Sequence, residues 1–191
     1  MPTSLSDVYG FLQAASWAVA AGAGLFGVYK YFPEAKEKRL WEKAKLAKEM
    51  VDDLSENMKA MDASYMLGAW HGRQYQRQED GEFISFRVTE EQVIAVLDDP
   101  ARIAQSSNDQ YIRECFDELF YHIDLCATAA ERKIIDWADI KPLLITLFAG
   151  VHRSMLPSLH KFAISSRYYW AADKMEELVE GALTHPVRKQ G

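Results

Sequence analysis

Several signatures of known chemistry are missing from this 191-residue chain. It has only two cysteines, Cys115 and Cys126, and they form no Cys-x-x-Cys pair. That excludes a zinc ribbon or a thioredoxin-type motif; two small buried hydrophobes in a reducing compartment are the simple expectation. There is no glycine-rich phosphate loop, and Ser154 and Ser158 lack the glycine-flanked turn of a hydrolase nucleophile. Positive charge is in deficit too. The formal net charge of -6 argues against a general nucleic-acid binder, whose footprint is basic. Hydrophobic residues make up 49% of the chain, enough for one packed domain plus a small appendage.

The most telling absence is local. Val8 to Tyr29 contains no charged side chain, and no lysine or arginine precedes Lys30. About 20 apolar residues span a hydrocarbon core, and a helix satisfies its own backbone there. This run therefore reads as a transmembrane helix, with Tyr9 at one end, Tyr29, Tyr31 and Phe32 at the other, and Pro33 at its exit. Two rivals are a cleaved signal peptide, with an Ala-x-Ala at Ala18 to Ala20 but no basic n-region, and a buried helix of moderate hydropathy. Residues 30–48 hold seven basic side chains: Lys30, Lys36, Lys38, Arg39, Lys43, Lys45 and Lys48. The positive-inside rule then places the N-terminus outside and the remainder in the cytoplasm. The same collar suits anionic headgroups, while residues 49–99, with twelve acids against four bases, stay off them. Small residues recur four apart in the span, pairing Ala18 with Gly22, Ala20 with Gly24 and Ala23 with Gly27, a spacing that lets helix backbones approach.

After the span, Leu40, Ala44, Ala47, Val51, Leu54, Met58 and Met61 follow at alternating spacings of four and three. This heptad seam predicts a membrane-proximal helix, either a dimer stalk or an amphipathic helix packed on its own domain. Asp62 is placed to cap a short helix that Gly68 and Gly72 weaken or end. Glu79 to Glu82 reads as a turn, and Phe83 to Val88 as an extended link, because one lone strand makes no sheet. Thr89 to Gln92 is a capping box that starts a helix to about Leu97. Ile112, Cys115, Phe116, Leu119, Phe120, Ile123 and Cys126 give a helix over 109–131 one apolar face. Asp136 caps the next, with Ile140, Leu143, Leu144, Leu147, Phe148 and Val151 on its face and Pro157 ending or kinking it. A last helix covers 166–183.

The expected fold is all-α: one N-terminal transmembrane helix followed by a cytoplasmic helical bundle. Its divisions are residues 1–33, the amphipathic helix 34–62, the bundle 63–185 and a tail 186–191.

Three groups of residues are candidates for chemistry. Glu118 and His122 lie four apart, but the Glu-x-x-His pairs of a di-iron bundle are absent. Glu114, Asp117, Glu118 and Asp124 mostly flank the apolar face, as a solvated acidic surface would. Tyr168, Tyr169 and Trp170 beside Arg167 have the chemistry to stack on a ligand, or simply to fill a core boundary. None assembles a catalytic, cofactor or metal motif, and the reading is no enzyme, no cofactor and no nucleic acid. The partners expected are the lipid bilayer and an unidentified protein or a second copy of the chain.

Residues 112–144, IRECFDELFYHIDLCATAAERKIIDWADIKPLL, combine a helix of paired acids and aromatics, an Glu-Arg-Lys-Ile-Ile-Asp turn and a further helix. With the single span before them, they resemble bacterial proteins grouped as domain of unknown function 4760. The resemblance runs over about residues 100–182 and implies a cytoplasmic helical domain behind one span, in a bacterial inner membrane. It brings no catalytic residues.

Overall fold

The computed structural model describes residues 36–68, 73–79, 81–99 and 106–184. The predicted span, with its Ala18, Ala20, Gly22, Ala23, Gly24 and Gly27, lies outside the described residues. Among those described, no helix is long and apolar enough to cross a membrane. The chain divides into two compact units, Met1–Glu42 and Lys43–Gly191. In the first, residues 36–42 are helical, and Lys38 pairs with Glu42 across one turn.

The second unit is mostly helical. Helix α1 occupies residues 36–56, its last fourteen within this unit. It is followed by α2 (Met58–Gly68), β1 (Tyr75–Glu79), β2 (Glu82–Phe86) and α3 (Glu90–Asp98). Then come α4 (Ser107–Glu131), α5 (Trp137–Leu147), α6 (Leu156–Ser165) and α7 (Tyr169–Thr184). Helix α4 is the axis of the core. The whole predicted apolar face, from Ile112 to Cys126, is buried. Phe116 and Phe120 both meet the ring of Phe162 on α6, at 6.3 and 5.2 Å, and Tyr168 stacks on Phe120. Burying each such ring stabilises the fold by roughly 1.5–3 kcal/mol.

Local chemistry explains most helix ends. Thr89 caps α3, its hydroxyl accepting the Gln92 N–H at 3.2 Å, but the Gln92 side chain donates to Asp109 at 2.7 Å, so only the Thr89 half of the expected capping box is seen. Ser106 does the same for α4 through Asn108. Asp136 stands at the N-cap of α5 without a side-chain cap bond, and binds Lys43 at 3.8 Å instead.

Four expectations change. The fold is not purely helical, because Phe83–Val88 is no lone extended link. Tyr75–Glu79 and Glu82–Phe86 form an antiparallel hairpin in the register Tyr75↔Phe86 to Glu79↔Glu82. Gly81 makes the turn at φ +87, where other residues are strained. Pro157 does not end a helix; it sits in the first turn of α6, where a missing N–H costs nothing. Asp62 caps nothing: it is buried inside α2. Finally, the heptad helix breaks at Asn57, between α1 and α2. Of the seam, Ala47 and Leu54 are buried, Val51 and Met61 are half-buried, and Leu40, Ala44 and Met58 are exposed.

Candidate functional site

The densest polar constellation lies along the line where α2 runs antiparallel to α4. Asn57 stands at one end of it. Its side-chain oxygen accepts the Ala60 N–H at 3.0 Å, which caps α2. Its amide donates to Glu118 Oε2 at 2.9 Å and lies 3.4 Å from His122 Nε2. One turn on, Lys59 Nζ meets Glu114 Oε2 at 2.7 Å, and Gln110 donates to the other oxygen at 2.9 Å. The bond to Glu114 raises the Lys59 ammonium above its ordinary range. Partial burial pushes the Glu114 carboxyl up, but its bonds to Lys59 and Gln110 outweigh this and hold it low.

Farther along, Asp62 accepts the Tyr111 hydroxyl at 2.8 Å and faces Arg73 at 3.6 Å. The Arg73 guanidinium stacks 3.6 Å from the centroid of the Tyr65 ring. Burial, then the bond to Asp62, drives the Tyr111 hydroxyl far above its ordinary range, so it stays a donor. Tyr75 beside it is buried with no partner for its hydroxyl among the described residues, and burial pushes it up to about 12.

The other acids of α4 are equally engaged. Asp124 accepts the Ala171 N–H at 2.9 Å, at the start of α7. Asp117 faces Arg113 at 3.6 Å; burial raises its carboxyl and Arg113 opposes that. Arg113 itself lies 4.1 Å over the Phe162 ring and donates to Ser166 at 2.8 Å. Thus each acid that the sequence flagged on α4 holds another element in place: Glu114 and Glu118 hold α2, Asp117 orients Arg113 toward α6, and Asp124 starts α7. The signal missing from the sequence was the partner, which lies 47 to 61 residues away for three of the four.

The remaining candidates scatter. Tyr168 is packed on Phe120, while Tyr169 and Trp170 face solvent and Arg167 takes a left-handed turn at φ +68. Ser154 is exposed and Ser158 is buried in α6. His152 pairs with Glu90 at 3.1 Å on the surface. Both cysteine thiols are free and buried, and burial pushes them well above their ordinary range. Among the described residues, no group of three His, Cys, Asp or Glu side chains is arranged to hold a metal ion. His71 and His185 lie outside them.

Concave ground lies elsewhere. A groove of about 590 Å³ opens between α5 and α7, floored by Ala138, Pro142, Ile145, Ala149 and Ala182, with Lys141 and Thr146 at its rim. Its floor is apolar and built from small residues. Ile140 and Leu144 are in the core as the spacing on α5 predicts, whereas Leu143, expected on the same face, is largely exposed. No family model, no curated protein and no solved structure matches the chain.

Proposed function

We propose that this chain is a membrane-tethered helical interaction or regulatory module without catalytic activity; the resemblance to domain of unknown function 4760 supplies only the layout, one span before a cytoplasmic helical domain. Residues 8–29 would anchor it with the N-terminus outside, and the basic collar over 30–48 would lie against anionic headgroups in the cytoplasm. The observation that carries this reading is how the polar groups of α4 are spent. Glu114, Asp117, Glu118 and Asp124 are all engaged in holding helices together, and His122 sits beside the Asn57 cap. The surface meanwhile keeps apolar ground open to a protein, in the α5–α7 groove and at Phe83 and Ile84.

A second reading is a small accessory subunit of a larger membrane complex, assembled through the span itself. The small residues Ala18, Ala20, Gly22, Ala23, Gly24 and Gly27 favour it. The two part on one exchange: residues 8–29 are replaced by an unrelated single-span helix, and the proteins crosslinked to the full chain in membranes are compared. A tethered module keeps its crosslinked set, whereas an accessory subunit loses it. Substrate turnover dependent on Glu118 and His122 would contradict both.

A further inference from the structure

We propose that the outer edge of β2 pairs antiparallel with β2 of a second copy of this chain, joining two hairpins into one four-stranded sheet. Among the described residues β2 has one neighbour, β1, and its other edge is unpaired. Four of its five residues are exposed, with Phe83 at 71% and Ile84 at 37%. A two-stranded ribbon is marginal alone, and an open edge is a template for another strand. β2 carries no proline and no lysine, and its one charged residue, Glu82, stands at its first position.

The register follows from the turn. Two residues separate the paired Glu79 and Glu82, and a two-residue hairpin closes on a hydrogen-bonded pair. The backbone groups of Glu82, Ile84 and Phe86 therefore point to β1, and those of Phe83, Ser85 and Arg87 point outward. A two-fold axis through Ser85, normal to the sheet, sets Ser85 against its own copy. It also sets Phe83 against the second copy's Arg87. Small neutral side chains then meet at the axis, a guanidinium faces an aromatic ring on either side, and no like charges oppose. Arg87 is exposed and makes no ion pair with a described residue. This complementarity to itself selects a second copy as the occupant. The contact is isologous: it uses the β2 edge of both copies and so closes at two.

The pairing rests on the interaction-module reading and names its partner and surface. The test is Ser85→Cys in the full chain in mild detergent, treated with a short bis-maleimide. Wild type is silent, since Cys115 and Cys126 are buried. Most of the Ser85→Cys chain is expected as crosslinked dimer. Gln76→Cys, which faces Ser85 from β1 within one hairpin, is expected as monomer. Adding Phe83→Lys, which sets lysine against arginine, is expected to cut the dimer yield at least tenfold with the circular-dichroism melt unchanged. A monomeric Ser85→Cys chain, equal crosslinking from Gln76→Cys, or a yield indifferent to Phe83→Lys overturns the pairing. A non-covalent dimer in which Ser85→Cys does not crosslink also overturns it. None of these outcomes alters membrane association, so the tether and the pairing fail separately.

Discussion

Replacing Gly68 by alanine tests the packing where it is tightest. Gly68 ends α2 against the turn that follows α5. A Cβ built there falls 1.8 Å from the Ala149 carbonyl oxygen and 3.3 Å from the Gly150 Cα. The obstacle is backbone, so no rotamer change relieves it, and α2 must retreat by more than an ångström. That loosens Met66, Leu67 and Phe148, all fully buried. Alanine recovers up to about 1 kcal/mol of helix propensity, against an overpacking cost of 1–3 kcal/mol or more. Because the 1.8 Å clash is with backbone, the cost lies at the top of that range, and the net loss expected is about 2–3 kcal/mol, or a fall in Tm of about 4–12 °C for a chain of this size. Gly81→Ala is the internal control. Its φ is +87 but nothing lies within 4 Å of the added atom, so only about 1–2 kcal/mol of left-handed strain is incurred. Circular-dichroism melts and urea midpoints of the full chain in mild detergent read both. A Gly68→Ala melt within about 2 °C of wild type would refute the close-approach reasoning.

Three further outcomes follow from the same geometry. Asn57→Ala removes the α2 cap and the bond to Glu118, and should cost about 1–2 kcal/mol by urea midpoint; no loss would show that the helix break needs no cap. A water-soluble disulfide reagent at pH 8 should find no thiol in the folded chain and both after denaturation, because burial raises Cys115 strongly and Cys126 to about 12. Rapid labelling of the native chain would contradict that burial. The bond from Lys141 holds the Glu177 carboxyl below its ordinary value of 4.5, helped by the Trp137 N–H at 3.0 Å. A depressed carboxyl contributes stability above its unfolded value and loses it as pH falls through the folded one. Glu177→Gln should therefore flatten the acid side of the stability curve below about pH 4.5 and lower stability at neutral pH; an unchanged profile would sink the assignment.

How much of this was legible depended on whether the determining signal was local. The N-cap at Thr89 and the apolar face of α4 carry their own information, and both stand where the sequence puts them. Helix α6 did not show because Pro157 reads equally as a stop or a start, and only the chain before it decides. Strand β1, Tyr-Gln-Arg-Gln-Glu, buries Tyr75 alone, so it has no alternating pattern to find. The roles of Asp62 and the α4 acids were invisible for another reason. A buried carboxylate is tolerated only with partners, and Tyr111 and Arg73 reach Asp62 from other elements. Asn57 shows both sides: its capping oxygen is local information, while its bond to Glu118 is not.

The central claim is that residues 8–29 tether a folded helical unit to a membrane. The most direct measurement is alkaline carbonate extraction of membranes carrying the full chain, beside a variant with Leu12, Val19 and Leu25 replaced by lysine. The account predicts that the full chain stays in the membrane pellet, and that the lysine variant, with about 2.5–3.5 kcal/mol of insertion cost per charge near the helix centre, moves to the supernatant. A full chain released quantitatively by carbonate would contradict it.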